Sequence, residues 1–343
     1  MRNKDVLLQL LENDAKYVND RVTLNPLDGL DLTITGATGL VGLNIICAIN
    51  YYNNNFAKKH ININALSYSK PSEIIYDIYN ENSIKSIHGD LDNYNFIKDI
   101  PLSDCIIHSA GYGQPGKFLA NKLKTISINT SATIDLSKRL RSNGRFLFIS
   151  SSEVYSGCSN DKNKEDDIGT TTPNHPRSCY IEGKRAGEAI INILRENGIN
   201  ATSARLALAY GPGVKNNDER VLNQFIQKGI NGTIALLDSG ESMRTYGYIS
   251  NVVTMLINIL IKSNESVYNV GGNSVISIRD LANKIGKIMK VDVEIPASKS
   301  FLKDAPKNVR LDLSRIEKEF NITDYVGIDQ GLKNTIEWVK NYE

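Results

Sequence analysis

Tyr180 and Lys184 stand four residues apart in the segment Pro176-Arg177-Ser178-Cys179-Tyr180-Ile181-Glu182-Gly183-Lys184. On a helix, that spacing puts the phenol and the ammonium on one face. A nearby ammonium stabilises phenolate and draws the tyrosine from a pKa of ~10 towards the working pH. Tyr180 can then take the proton of a substrate hydroxyl while the carbon beneath it gives up hydride. Upstream, Ser150-Ser151-Ser152-Glu153-Val154-Tyr155 closes an apolar run that starts at Arg145. Ser151 is placed to hold the same hydroxyl, with Ser152 and Glu153 beside it.

A tyrosine and a lysine at this spacing are common on helix surfaces. The pair gains weight from the segment Leu30-Asp31-Leu32-Thr33-Ile34-Thr35-Gly36-Ala37-Thr38-Gly39-Leu40-Val41-Gly42. A short apolar run, three glycines at three-residue spacing and a helical pattern follow one another there, which is the phosphate-cradling opening of a dinucleotide fold. Gly36 permits the tight turn, and Gly39 lets backbone N–H groups approach a pyrophosphate. Gly42 lets the helix sit on the strand. Thr38, Leu40 and Val41 supply the N–H groups of the turn and the positive end of the helix.

The elements that position these residues follow in order. An amphipathic helix is predicted over 3–18, and a second runs from the glycine turn to about Tyr52. The spacing predicts strands at Ile61–Tyr68, Ile84–His88, Cys105–His108 and Arg145–Ser150, with a long helix over roughly Pro115–Ser142. Strands alternating with helices argue for an α/β protein with a Rossmann-like, doubly wound parallel sheet. Strand two ends in Ser67-Tyr68-Ser69-Lys70 where an acidic residue would bind the adenosine ribose. Ser67 and Ser69 take that place, which leaves NAD versus NADP open. Asp90, beside Leu91, either accepts from the adenine amino group or caps the next helix, or both. Ser109, Ala110 and Gly111 are small enough to let a cofactor lie close, and His108 is expected to pack beneath them without acting as a base.

Beyond Lys184 the pieces become short and irregular. Strand six is predicted at Ala201–Leu208, with helices near Val221–Lys228, Asn251–Ile261, Ile278–Met289 and Leu332–Lys340. Short strands fall near Ile234–Leu236 and Val267–Val270. We read residues 1–29 as an N-terminal helical extension and 30–208 as the dinucleotide-binding domain carrying Ser151, Tyr180 and Lys184. Residues 209–343 form a smaller C-terminal α/β substrate-binding lobe.

Composition narrows the functional classes. The 343 residues carry 40 basic and 38 acidic side chains, a formal net charge of +2, which gives no electrostatic case for nucleic acid. The apolar run Val252–Ile261 is too short for a bilayer and contains Asn258. Asp5, Glu12 and Asp14 interrupt any leader-like hydrophobic region. Cys47, Cys105, Cys158 and Cys179 have no metal-ligand spacing, and a reduced, cytoplasmic setting with no metal and no membrane association is expected.

Four segments together resemble the extended short-chain dehydrogenase/reductase family that modifies nucleotide sugars, over roughly residues 30–340. Within it, the motifs are most similar to those of UDP-glucuronate decarboxylases. They are the tyrosine helix from Pro176 to Arg185, Ser151-Ser152-Glu153-Val154-Tyr155, Asn217-Asp218-Glu219-Arg220-Val221 with Asn223-Gln224-Phe225-Ile226, and Arg244-Thr245-Tyr246-Gly247-Tyr248-Ile249-Ser250. The resemblance implies NAD as a recycled cofactor, a nucleotide sugar (a UDP-sugar favoured) as substrate, and transient oxidation at sugar C4. It places Asn129 on the cofactor side, Arg220, Val221, Arg244 and Tyr248 on the substrate, and Glu153 near C5 and C6. Arg310, in Asn308-Val309-Arg310-Leu311-Asp312, is the candidate partner for a C6 carboxylate. A homodimer is implied through helices near 115–142 and 175–198, where Ile126, Ile128, Ile134, Leu136, Ile190, Ile191 and Ile193 offer apolar surface.

The sequence also departs from this pattern. The loop Gly111-Tyr112-Gly113-Gln114-Pro115-Gly116 replaces the Ser/Pro-rich one that lines the decarboxylase sugar pocket. A 4-epimerase is therefore the alternative. A 4,6-dehydratase would need Asp where Ser152 stands, and a non-catalytic cofactor sensor would tend to lack Tyr180 or Lys184.

Overall fold

A computed structural model describes residues 4–296 and 308–342. Helix α1 (Lys4–Asn19) buries Leu7, Leu10, Leu11, Ala15 and Val18 along one face, the stripe expected of an amphipathic helix. Strands and helices then alternate: β1 (Asp31–Thr35), α2 (Leu40–Asn55), β2 (Asn62–Ser67), α3 (Glu73–Tyr79), β3 (Ile84–His88), α4 (Tyr94–Lys98) and β4 (Ser103–His108). Three short helices follow, α5 (Pro115–Ala120), α6 (Lys122–Asn129) and α7 (Ser131–Ser137). Next come β5 (Leu140–Ser151), one 3-10 turn at Ser152–Tyr155, α8 (Ser178–Glu196) and β6 (Asn200–Leu206).

The remaining segments are β7 (Leu208–Tyr210), α9 (Val221–Ile230), β8 (Thr233–Ala235), β9 (Met243–Tyr248), α10 (Ile249–Lys262), β10 (Val267–Val270), β11 (Ser274–Ser277), α11 (Ile278–Met289), β12 (Asp292–Glu294), β13 (Asn308–Val309), α12 (Ser314–Phe320) and α13 (Ile328–Asn341).

The main sheet has seven parallel strands in the order β10-β6-β5-β4-β1-β2-β3. The chain leaves β1 for β2 on one side and returns to β4 on the other, so the order reverses between β1 and β4. A crevice opens outside the strand ends at such a reversal. Burial on both faces suits parallel strands covered by helices. Leu32, Ile34, Ile63 and Ile107 pack against α1, α2 and α10 on one face, while Leu66, Ile106, Phe146, Phe148, Leu136 and Ile191 pack on the other. A second sheet, β11-β9-β13 with β7 beside β9, and the pair β12-β8 build the rest.

Three sequence expectations change here. The single helix over 115–142 is three helices and the start of β5. At Asn121 and Thr130 the backbone leaves the helical region, with φ −131° and −115° respectively. Both side chains bond carbonyls of the preceding turn, Lys117 O at 3.0 Å and Ile126 O at 2.9 Å, and such local bonds compete with helix continuation. Strand six stops at Leu206, and β7 turns into the second sheet. The cut at residue 208 is also crossed in space, because β10 pairs with β6 and the fully buried α10 packs against α2.

Candidate active site

At the sheet's reversal the glycine turn is held by contact. Gly36 has φ +67°, and a Cβ there would stand 2.9 Å from Ala110 backbone atoms. A Cβ on Gly42 would meet Gly36 O at 2.5 Å, so the helix can approach the turn only with glycine at this position. Helix α2 begins after Gly39 with no side-chain cap. The N–H groups of its first turn, Leu40 and Val41 among them, therefore lack intrahelical acceptors and face a cavity of about 790 Å³. These open N–H groups and the glycine contour fit the pyrophosphate of a dinucleotide.

The cavity is lined by the whole turn except Ala37, and by Ser67, Ser69, Asp90 and Leu91 at and beyond the ends of β2 and β3. Ser109, Ala110 and Gly111 form its wall beyond β4. His108 lies beneath, fully buried, with Thr35 Oγ1 2.8 Å from Nδ1 and Ile128 O 2.9 Å from Nε2. Burial pulls its pKa down to about 4, which suits packing and not proton transfer. Asp90 is not the cap of α4: Asn93 is, accepting from Asn95 N at 3.0 Å. The Asp90 carboxylate instead pairs with Lys124 Nζ at 2.5 Å, and that ammonium sits 4.5 Å from the centre of the Tyr68 ring.

At the other end β5 and α8 bring Ser151, Ser152, Glu153, Tyr180 and Lys184 to the cavity. Phe118 of α5 stacks on the Tyr180 ring at 4.7 Å between centroids and 10° between planes, fixing its plane. Ser151 and Tyr180 both line the cavity, and Ser151 Oγ accepts from Glu153 N at 3.2 Å. Lys184 donates to Ile149 O at 2.7 Å and lies 5.9 Å from the Tyr180 centroid. The sequence reading has the lysine lowering the phenol's pKa. In the structure that pKa is raised, first by burial. Burial also draws Lys184 down to about 7, with Glu188 opposing, so its charge is reduced at neutral pH.

Arg177 is a residue that sequence reasoning quoted without giving it a role. Its Nη2 lies 2.7 Å from Glu153 Oε1, and both side chains are largely buried. Its position three residues before Tyr180, at the N-cap of the same helix, was the available signal. Behind them, Ser150 Oγ donates to Glu188 Oε1 at 2.5 Å, and Arg205 grips the same carboxylate at 2.7 Å. This buried network ties the end of β5 to α8.

Of the substrate-side residues, Arg220, Val221 and Arg244 line the cavity, with Arg220 paired to Asp218 at 2.6 Å. Three candidates fall outside it. Tyr248 turns under the second sheet, where its hydroxyl donates to Asp14 Oδ2 at 2.9 Å and accepts from Asn334 at 2.8 Å. Tyr246 lines the cavity in its stead. Asn129 is fully buried against Gly183 of α8 and donates to Thr125 O at 2.7 Å. Arg310 leaves the cavity because its guanidinium pairs with Asp161 at 2.7 Å. Its neighbour Val309, in β13, is the residue that reaches the wall. Among the described residues no cluster of three or more His, Cys, Asp or Glu could hold a metal, and no helix is long and apolar enough to cross a membrane.

A doubly wound parallel sheet with a glycine turn, and a Ser-Tyr-Lys set at its strand ends, defines an extended short-chain dehydrogenase/reductase. The chain belongs to the NAD dependent epimerase/dehydratase family, whose model matches residues 32–271. It is similar to UDP-glucuronic acid decarboxylase 1 of Xenopus tropicalis, 29% identical over 260 residues that cover 73% of this chain and 60% of that protein. The match thus spans less than two thirds of that relative. UDP-glucuronic acid decarboxylase 6 of Arabidopsis thaliana is 30% identical over 234 residues, 67% of each chain. In fold it resembles the UDP-glucuronic acid 4-epimerase of Bacillus cereus, solved with UDP-glucuronic acid and NAD. The TM-score is 0.76 at 20% identity, over 91% of this chain and 100% of that one.

Proposed function

We propose that this chain is an NAD-dependent decarboxylase of a UDP-linked glucuronate, acting through transient oxidation at sugar C4. The observation that carries the reading is the convergence of Ser151, Tyr180 and Lys184 on one cavity at the strand ends, with Glu153 beside them already neutralised by Arg177. A bare carboxylate there would repel a C6 carboxylate, and the ion pair removes that penalty. The names and identities of the decarboxylase relatives support the same substrate.

NAD bound along the glycine turn would supply the hydride acceptor and donor. Gly36, Gly39, Leu40, Val41 and Gly42 would hold its pyrophosphate through backbone N–H groups, with Thr38 beside them. Ser67, Ser69, Asp90 and Leu91 would take the adenosine, while Ser109, Ala110 and Gly111 let it lie close. Ser151 holds the C4 hydroxyl and Tyr180 accepts its proton at the phenolic oxygen. Lys184, in its protonated fraction, adds positive charge that favours the phenolate. Glu153 faces C5 and C6, where the carboxylate β to the new ketone leaves as carbon dioxide and the enolate left behind takes a proton from solvent at C5. Tyr180 then returns its proton to the C4 oxygen. Arg220, Val221 and Arg244, on the C-terminal lobe, are assigned to the nucleotide and its diphosphate.

C4 epimerisation is the second reading, favoured by one observation: Arg310 is committed to Asp161 and not to the sugar pocket. Ser152, where a dehydratase carries Asp, argues against 4,6-dehydration. The test is direct: with UDP-glucuronate and NAD, carbon dioxide and a UDP-pentose are expected, with no net change in cofactor absorbance. Interconversion of a neutral UDP-hexose at C4, without carbon dioxide from UDP-glucuronate, replaces decarboxylation by epimerisation.

We also assign a homodimer in the cytoplasm. Leu123 is 85% exposed and Ile193 55%, with Ile126 and Ile134 partly exposed on the same helical flank. Ile128, Leu136 and Ile191, counted towards this surface from sequence, are instead in the core.

A further inference from the structure

Two loops meet over the cavity mouth: the glycine-rich loop into α5, carrying Lys117, and the loop after β7, carrying Lys215. Gln114 Oε1 accepts from Glu219 N at 3.2 Å, and a Cβ on Gly116 would stand 2.5 Å from Glu219 Oε2, so the loops are in contact. Both lysines are partly buried and both line the cavity. Two like charges on the wall of one cavity are unfavourable without an anion between them. Burial and then Lys117 hold the Lys215 pKa below its ordinary value. Neither ammonium has an ion-pair or hydrogen-bond partner among the described residues. The nearby acids are otherwise placed: Asp218 pairs with Arg220, and Glu219 lies against Gly116 without an ion pair to either lysine.

The position of Lys215 is set by Gly213. A Cβ there would be 3.2 Å from Leu43 and 3.5 Å from Leu40, in the first two turns of α2. Lys215, two residues on, lines the same cavity as the glycine turn. The turn itself contributes N–H groups and no cation. On the substrate side, the cavity-lining arginine Arg220 is already partnered by a carboxylate.

We propose that Lys117 and Lys215 form a two-lysine clamp that closes over a diphosphate at the mouth of the cavity. The clamp rests on the proposed function, because either of that reaction's diphosphates, the cofactor's or the nucleotide sugar's, supplies the chemistry. Each lysine adds a charge-assisted hydrogen bond from the side opposite the glycine turn. Binding through the clamp also weakens with salt, since two partly exposed charges carry it.

The experiment titrates NADH and UDP separately into the wild-type chain, Lys117→Gln, Lys215→Gln and the double variant, at low and high salt. Adenosine and uridine are run in parallel. The double variant is expected to lose at least about tenfold in affinity for one diphosphate, the size of a single charge-assisted contact. Its salt dependence should flatten, and the nucleosides should be unaffected. Loss for NADH assigns the clamp to the cofactor, and loss for UDP assigns it to the substrate. Lys117→Arg with Lys215→Arg should restore binding, and the thermal midpoint should be unchanged in all variants. Affinities for both diphosphates within about twofold of wild type overturn the clamp. So does equal loss for the nucleosides, which marks a structural defect. A wild-type chain that decarboxylates UDP-glucuronate while the lysine variants bind normally separates failure of the clamp from failure of the proposed function. A wild-type chain that binds neither NADH nor UDP overturns both.

Discussion

Arg177 holds Glu153 across 2.7 Å at the mouth of the strand ends, and the two residues come from different elements, the N-cap of α8 and the turn after β5. The pair joins the serine segment to the tyrosine helix. Its net charge beside Ser151 and Tyr180 is zero rather than minus one. Arg177→Met would leave Glu153 half-buried and uncompensated. We predict a loss of about 1–3 kcal/mol in urea unfolding, together with a fall in turnover. An unchanged midpoint with full turnover would rule out a role for the pair.

Tyr180→Phe keeps the ring and its stacking on Phe118, and removes only the proton acceptor. Turnover is expected to fall by about two orders of magnitude or more, with stability and NADH binding close to wild type. Near-normal turnover would remove Tyr180 from the chemistry.

Arg310→Ala is expected to leave turnover within about threefold of wild type, because its guanidinium pairs with exposed Asp161 outside the cavity and surface pairs of this kind contribute little. Selective loss of carbon dioxide release in this variant would restore Arg310 as the carboxylate partner.

Two buried groups give opposite pH slopes to stability. Asp14 is raised from 3.8 to about 7 by burial, so its contribution is full below the unfolded value and is lost as pH rises to about 7. Lys184 is lowered from 10.5 to about 7, so its contribution is present above the unfolded value and is lost as pH falls towards 7. Thermal unfolding across pH 4 to 10 should therefore show a shallow minimum near neutrality from these two groups. Asp14→Asn should flatten the acid side and Lys184→Met the alkaline side, each by on the order of 1 kcal/mol per pH unit within its window. If the curves of both variants overlay wild type, these assignments are wrong.

Leu123→Glu, on the exposed flank of α6, is expected to shift the sedimentation mass from two chains to one without altering the thermal midpoint of the monomer by more than about 0.5 kcal/mol. A wild-type mass of one chain at all concentrations would refute the dimer.

What the sequence determined by itself is local. The glycine turn, the alternation of strand and helix, and the four-residue spacing of Tyr180 and Lys184 are set by backbone sterics and helical period, which are properties of short segments. They sufficed to bring the glycine turn, Ser151, Ser152, Glu153, Tyr180 and Lys184 to the cavity found in the structure, while Arg220, Val221 and Arg244, which also line it, came from the family resemblance. What only the tertiary structure decided concerns partners from distant segments. Arg177 and Glu153 pair, Arg310 turns to Asp161, and Tyr248 bonds to Asp14, more than 200 residues away in sequence (|i−j| = 234). Tyr248 shows why. Arg244 and Tyr246 sit on the same strand and line the cavity, yet Tyr248 at its end meets α1 and α13, whose packing no motif within the strand encodes. The same holds for the lysine and the phenol. Their spacing brought them to one face, but the depth of burial decided their pKa shifts, and burial depends on every element packed around them.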